Sequence, residues 1–247
     1  MSGRGRLAEG VPDLACEGVR ATITLRRPEQ HNRIDPSDIA TIIAHLDSVG
    51  ERQDLALLVI TGSGTRTFCS GYTIDAITTE LDGRFEAMLD RIESFPLPTI
   101  CALNGSVFGG GTDLAMCCDF RIGVHGSRMR MPAASFGLHY YPGGLRRFVA
   151  RLGPVATKSL FMAGRTLQAE EMLRIGYLNE LVAPGDLPAS ILEYERALVE
   201  CERGVVASMK RHIDGLAAGT WDDAEGRRAY ENSLRSRELK DRLARRR

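Results

Sequence analysis

A run of three glycines, Gly109-Gly110-Gly111, is the clearest candidate site in this 247-residue chain. An apolar segment of strand length, Thr99–Leu103, precedes it, and Asp113 opens an apolar helix immediately after it. Three glycines let the backbone approach a ligand closely, and the first turn of a helix leaves N–H groups without intrahelical partners. Such a turn suits an oxyanion or a phosphate, although the same triplet also serves as a packing joint between strand and helix.

Neither common nucleotide-binding loop fits this triplet. No Lys-Ser or Lys-Thr follows it, and its spacing is not that of a dinucleotide-binding G-x-G-x-x-G turn. A second turn favours the oxyanion interpretation, because the apolar run 55–60 ends at a Gly-Ser-Gly turn that leads to the segment 68–72. Two strand ends followed by small-residue turns can direct one backbone N–H apiece at the same carbonyl oxygen.

Three collinear segments resemble the enoyl-CoA hydratase/isomerase, or crotonase, family. They are Thr67-Phe68-Cys69-Ser70-Gly71, the stretch 102–115 around the glycine triplet, and Cys118-Asp119-Phe120-Arg121-Ile122. Two further segments, 27–32 and 163–182, are similar to the family's first turn and to its later helical region. The resemblance extends over residues 15–215 of the chain.

By this resemblance the substrate is an acyl thioester of coenzyme A, and the N–H groups of Ser70 and Gly110 hold its oxygen. One such preorganised donor contributes on the order of 3 kcal/mol to stabilising an enolate oxygen. No separate cofactor is expected, because coenzyme A is part of the substrate. Further residues of the two turns are assigned to substrate binding, namely Gly71, Tyr72, Gly109 and Gly111.

The acid/base pair of the family's hydratases is altered in this chain. Those enzymes carry one glutamate on the glycine-triplet helix and a second after the proline of the following turn, positions that read Asp113 and Ala133 here. An aspartate reaches roughly 1.5 Å less far than a glutamate, and an alanine transfers no proton. We therefore do not expect efficient hydration of a simple enoyl-CoA, and assign Ala133 to the substrate-binding wall.

A histidine and two tyrosines follow Ala133 and offer other polar groups. Aligned on Gly137, Tyr140 matches a tyrosine of the acyl-CoA decarboxylases that this segment resembles. A phenol can bind a carboxylate or protonate an enolate, and a desolvated pocket favours loss of CO2. His139 and Tyr141 are assigned to substrate binding, with His139 as a loop donor rather than a base, while packing is an equally good interpretation of both tyrosines.

Three functions therefore stay open. The first is a crotonase-type lyase, such as a decarboxylase, with Asp113 as the acid/base group and Tyr140 as orienter or proton donor. The second is an isomerase or hydratase that uses Asp113 alone, with water held by His139 or Tyr141. The third is a non-catalytic acyl-CoA-binding homologue, for which Ala133 is the main support.

Composition is that of an ordinary globular enzyme. Acidic and basic residues are equal in number, so a nucleic-acid partner is not expected. The basic tail 235–247 and the pair Arg146-Arg147 either meet the phosphates of coenzyme A or form a solvated face. The sequence shows neither an N-terminal leader nor an apolar run of membrane length, so we expect a cytoplasmic protein without membrane contact.

Smaller signals give structural interpretations. Six cysteines without C-x-x-C spacing indicate small buried hydrophobes, and no histidine spacing indicates a metal. Asp75 is interpreted as a helix cap, although it could also reach the site. Asp119 is interpreted as a structural partner rather than a base.

The elements that must position these residues form a strand-bearing core followed by helices. Strands are predicted over 15–25, 55–61, 99–103, 120–124 and 127–131, with helices over 35–50, 81–94 and 110–118. From Pro142 only helices are expected, over 144–152, 154–161, 167–175, 187–200, 205–216, 221–232 and 234–244. The resemblance implies an α/β class, a crotonase-like spiral of ββα repeats with a core domain over 1–186 and a C-terminal helical region over 187–247. It also implies homotrimers, often paired into hexamers.

Overall fold

Two β-sheets carry the site-forming turns at the ends of their strands, in a computed structural model that describes residues 10–245. The strands are β1 (Gly10–Glu17), β2 (Arg20–Arg26), β3 (Leu57–Gly62), β4 (Thr67–Cys69), β5 (Thr99–Leu103), β6 (Ser106–Phe108), β7 (Phe120–Val124), β8 (Arg128–Arg130), β9 (Leu167–Gln168) and β10 (Glu180–Val182). The helices are α1 (Pro36–Gly50), α2 (Gly83–Glu93), α3 (Gly110–Cys117), α4 (Pro142–Phe161), α5 (Ala169–Arg174), α6 (Leu187–Val199), α7 (Arg203–Ala218), α8 (Asp223–Arg235) and α9 (Arg237–Ala244).

The chain passes from one sheet to the other in each repeat. The larger sheet has the order β1-β2-β3-β5-β7-β10, and the smaller sheet has the order β4-β6-β8-β9. Each of β3, β5 and β7 is followed by a short strand of the smaller sheet and then by a helix. The predicted α/β class and spiral of ββα repeats are therefore confirmed.

The central strands β3 and β5 of the larger sheet are buried on both faces, which explains why they read as largely apolar runs. Alternate residues of β3 point to opposite sides, so Leu58 and Ile60 join the main core between the sheets while Leu57 and Val59 face the other way. Helix α6 covers that second face with Leu187 and other apolar side chains.

Several predicted elements differ from the structure. The first strand is a pair of antiparallel strands that turn at Gly18, where φ is +57°. The short strands β4 and β6 were not predicted, and β9 and β10 lie in a region expected to be helical only. The two helices predicted over 144–152 and 154–161 form one element that kinks at Gly153, where φ is +73°.

The C-terminal helices α7, α8 and α9 keep all their apolar side chains at least partly exposed. Lys210 of α7 fixes this region to the core, because its Nζ donates to Asp119 Oδ2 at 2.7 Å and to the Leu97 carbonyl at 3.1 Å. Within residues 10–245, no helix is long and apolar enough to cross a membrane. Residues 1–9, where a leader was sought, and the last two residues of the basic tail lie outside the described residues.

Candidate active site

Two turns meet at the start of α3. Strands β4 and β6 are parallel neighbours, so the turn after β4 lies against the glycine triplet after β6. A Cβ on Gly71, where φ is +89°, would lie 2.4 Å from the Gly110 nitrogen, and a Cβ on Gly111 would lie 2.6 Å from the Cys69 carbonyl oxygen. Glycine is required at both positions for the backbones to touch.

A cavity of about 600 Å³ opens beside this joint. Most of its wall is apolar, with side chains that include Ile74, Leu81, Phe85, Phe108, Met131 and Leu138. Gly109 and Ala133 also line it, as the sequence analysis assigned. Gly71 and Gly111 do not line it, since they are enclosed in the joint between the turns, and this corrects their assignment to direct substrate contact.

The free backbone donors differ from the predicted pair. The Ser70 N–H donates to the His31 carbonyl at 2.9 Å, so the prediction that it holds a substrate oxygen is wrong. The N–H groups of Tyr72 and Gly110, by contrast, have no acceptor among residues 10–245. Both residues line the cavity, and a Cβ on Gly110 would lie 3.5 Å from the Tyr72 nitrogen.

Asp113 is a buried partner of Arg147. The guanidinium donates to Asp113 Oδ1 at 2.9 Å and to Oδ2 at 3.2 Å, and also reaches Asp90 at 2.7 Å and Glu93 at 3.1 Å. This corrects the expectation that Arg147 meets coenzyme A or solvent. The sequence signal for such a cation was the carboxylate in an apolar helix, because a buried charge requires a partner.

Two phenols cover the other side of Asp113. Tyr140 donates to Oδ2 at 3.2 Å, and Tyr141 donates to the same oxygen. Both tyrosines line the cavity, whereas Asp113 does not. Asp113 therefore lies behind the wall, which corrects the prediction that its carboxylate acts directly on the substrate.

Burial, and secondly the charge of Asp113, raises the pKa of both Tyr140 and Tyr141 well above the usual value for tyrosine. The phenols thus keep their protons at neutral pH. Since these protons point at Asp113, the phenols act first as donors to that carboxylate.

Both histidines on the cavity wall are hydrogen-bonded through Nδ1. His139 Nδ1 lies 2.7 Å from the Tyr140 carbonyl oxygen, and His31 Nδ1 lies 2.9 Å from Thr67 Oγ1. Asp75, weighed as a cap or a site residue, is exposed and is not part of the wall.

Asp119 is confirmed as a structural partner. Its Oδ2 accepts hydrogen bonds from Thr99 N at 2.7 Å and from Lys210.

Glu86 was missed by the sequence analysis. This residue of α2 lines the cavity, and its Oε1 accepts a hydrogen bond from Gly143 N at 3.3 Å. It forms no ion pair with any residue that the structure describes. No signal distinguishes Glu86 in the sequence, because α2 carries five charged residues among eleven and resembles any amphipathic surface helix.

The cysteines follow the prediction in part. Cys69, Cys101, Cys117 and Cys118 are buried, Cys16 is half-buried, and Cys201 is exposed at the end of α6, contrary to the expectation. No cluster of three or more His, Cys, Asp or Glu residues in the described range is arranged to hold a metal.

Comparison with known proteins agrees with this architecture. A family model for enoyl-CoA hydratase/isomerase matches residues 16–235. The crotonyl-CoA hydratase of Syntrophomonas wolfei is 31% identical, over 85% of this chain and 90% of its own length. The carnitinyl-CoA dehydratase of Salmonella arizonae is 33% identical, over 80% and 77% respectively.

Solved structures give the same result. An enoyl-CoA hydratase/isomerase family protein from Hyphomonas neptunium superposes with a TM-score of 0.86 at 27% identity, covering 94% of this chain and 93% of that one. The enoyl-CoA hydratase from Bacillus anthracis, at 21% identity and a TM-score of 0.84 over 94% of each chain, shares the fold.

Proposed function

The chain belongs to the enoyl-CoA hydratase/isomerase family, and we propose that it processes an acyl-CoA thioester whose oxygen is held by the N–H groups of Tyr72 and Gly110. One observation carries this proposal. Two backbone donors without acceptors, on turns that touch, line an apolar cavity. Ser70, the donor first expected, supports the turn through His31 instead.

This pair of donors suits an enolate. When a proton leaves the carbon next to the thioester, the C–H electron pair moves toward the carbonyl and negative charge develops on its oxygen. Fixed donors in a water-poor site stabilise that charge without having to reorganise, and each contributes on the order of 3 kcal/mol. The apolar wall strengthens the interaction by keeping the local dielectric low.

Among enolate reactions, we propose movement of a double bond along the acyl chain rather than addition of water. Hydration by the family's usual route needs a carboxylate at each of the positions that align with Asp113 and Ala133, but Asp113 is enclosed by Arg147 and two phenols, and Ala133 has no carboxylate. An isomerisation needs only one group that takes up a proton and returns it to another carbon.

Decarboxylation is the second candidate, and Tyr140 is the residue that favours it. A substrate carboxylate would meet little to bind it, since no Lys or Arg of residues 10–245 lines the cavity, and the Tyr140 hydroxyl donates to Asp113. We therefore rank decarboxylation below isomerisation.

Product analysis tests the proposal. The purified protein is incubated separately with a 3-enoyl-CoA, crotonyl-CoA and methylmalonyl-CoA, and thioester masses and conjugated-enoyl absorbance are followed. We expect conversion of the 3-enoyl to the 2-enoyl thioester at unchanged mass. Addition of water to crotonyl-CoA would contradict the proposed isomerisation. Loss of CO2 from methylmalonyl-CoA would favour decarboxylation with Tyr140. Binding without any product would favour a non-catalytic homologue.

We also propose a homotrimeric or hexameric assembly in the cytoplasm. The exposed apolar side chains of α7, among them Met209, Ile213 and Leu216, suit a subunit contact. Sedimentation analysis would distinguish these assemblies from a monomer.

A further inference from the structure

We propose that Glu86 is the residue that takes the proton from the substrate and returns it. This inference rests on the proposed function, because it names the acid/base group of the same enolate chemistry. Neither Asp113 nor Ala133 offers a free carboxylate to the cavity. Glu86 would provide one from a different element, α2.

The carboxylates on the cavity wall are Asp82 and Glu86, and they differ in how they are engaged. Asp82 is exposed, and both its oxygens accept from Arg84 Nε, at 2.9 and 2.8 Å. Glu86 is half-buried and forms no ion pair with residues 10–245. An unpaired carboxylate beside an apolar cavity is free to accept a proton, whereas one neutralised by a guanidinium is a weaker base.

Helix α2 packs against the paired donors and also carries Glu86, which lines the same cavity as they do. Its preceding residue, Phe85, packs so tightly on the glycine triplet that a Cβ on Gly110 would lie 2.9 Å from Phe85 Cζ. The Phe85 ring also contacts that of Tyr72, with centroids 5.4 Å apart. Phe85 thus fixes α2 against both donor residues, and Glu86 and the two donors line one cavity.

The start of α4 holds Glu86 in place. Gly143 N donates to Glu86 Oε1 at 3.3 Å, and a Cβ on Gly143 would lie 2.8 Å from the same oxygen. The Glu86 carboxylate thus packs directly on the backbone of Gly143. One oxygen is fixed by this hydrogen bond, and Oε2 stays available to the cavity, since it accepts no hydrogen bond within the described chain.

The proton transfer balances within the substrate and Glu86. The carboxylate takes a proton from the carbon next to the thioester, and the C–H electron pair becomes a C–C π bond as charge moves to the thioester oxygen. Tyr72 and Gly110 N–H groups hold that oxygen. The carboxylic acid of Glu86 then returns the proton, either to the same carbon, which gives exchange, or to a carbon further along an unsaturated chain, which gives isomerisation.

Deuterium exchange tests Glu86 separately from the overall reaction. The protein is incubated with butyryl-CoA in D2O, and the deuterium that enters the acyl chain is measured by mass. Glu86→Gln, which keeps size and polarity, should lower the exchange rate by about 100-fold or more while leaving butyryl-CoA affinity within about threefold. Glu86→Asp should recover part of the rate.

A matched variant addresses the competing carboxylate. Asp82→Asn should exchange at the wild-type rate, because its carboxylate is already paired with Arg84.

The outcomes separate the two proposals. If the wild-type protein exchanges and Glu86→Gln exchanges equally fast, the role of Glu86 is wrong and the enolate function stands. A loss confined to Asp82→Asn would give the role to that carboxylate. If the wild-type protein binds butyryl-CoA and never exchanges, the proposed function fails and the role of Glu86 fails with it.

Discussion

The Arg147 guanidinium spans both carboxylate oxygens of Asp113, at 2.9 and 3.2 Å, and neither side chain is exposed. Asp113, which the sequence resemblance aligns with a glutamate of the family's hydratases, is thus half of a buried ion pair. Its negative charge binds Arg147 behind the cavity wall and accepts hydrogen bonds from Tyr140 and Tyr141, which line the cavity.

This ion pair should be essential for stability. Arg147→Met keeps the volume of the side chain and leaves the Asp113 carboxylate without its cation, so we expect a loss of about 3–5 kcal/mol in the free energy of unfolding. Urea denaturation measures it. Arg146→Met is the control, because Arg146 is partly exposed and pairs with Glu93, so a loss below about 1 kcal/mol is expected. Equal losses of stability in the two variants would contradict a special role of the Arg147–Asp113 ion pair.

The donor role of Gly110 can be tested on its N–H alone. Gly110→Pro removes this hydrogen at the first position of α3, where proline is compatible with a helix. Gly110→Ala keeps the hydrogen and imposes the same Cβ on Phe85. We expect turnover of an acyl-CoA to fall about 100-fold further in the proline variant than in the alanine variant. Equal turnover in the two folded variants would exclude this donor.

Alkaline pH should destabilise the protein through its buried phenols. Burial raises the folded-state pKa of Tyr140, Tyr141 and Tyr177, while the unfolded chain titrates near about pH 10. Above that pH the unfolded state binds fewer protons than the folded state, so the free energy of unfolding falls by up to about 1.4 kcal/mol per pH unit for each tyrosine. Below it, these groups contribute their full stabilisation.

Urea denaturation on both sides of pH 10 measures this slope. The double variant Tyr140→Phe/Tyr141→Phe should show a shallower decline, because two of the groups are gone. An unchanged slope would mean that other groups cause it.

Lys210 should control how firmly the C-terminal helices attach. Lys210→Met removes the ion pair with Asp119 and the hydrogen bond to the Leu97 carbonyl, so α7 should become more sensitive to limited proteolysis. Arg211→Met is the matched control on the neighbouring exposed residue, which forms no ion pair in the described chain. Similar cleavage rates for both variants would contradict the tether.

Several elements could be predicted from the sequence, while some of the shortest could not. The bounds predicted for Thr99–Leu103 and Phe120–Val124 agree with those in the structure. Each is a segment of strand length between turn residues. Strands such as β4 and β9 contain three and two residues, too few to show a period. They are strands only because neighbours distant in sequence align with them.

The same distinction holds for the site. The two turns could be predicted because glycine and strand patterns are local. Whether a given backbone N–H is free depends on acceptors that are distant in sequence. The Ser70 N–H, for example, is hydrogen-bonded to the His31 carbonyl. The state of Asp113 depends on Arg147, 34 residues further along, and Glu86 becomes conspicuous only once α2 is seen beside Gly110.

The enclosure of Asp113 also makes this site hard to convert back into a two-carboxylate hydratase. Ala133→Glu alone would restore one carboxylate to the wall, while the other stays neutralised and covered. Freeing Asp113 requires changes at Arg147 and both tyrosines, and intermediates that lack Arg147 carry an unpaired buried charge. A route to two free carboxylates at this site is therefore blocked by an unstable intermediate, since the step that removes Arg147 leaves a buried carboxylate without its cation.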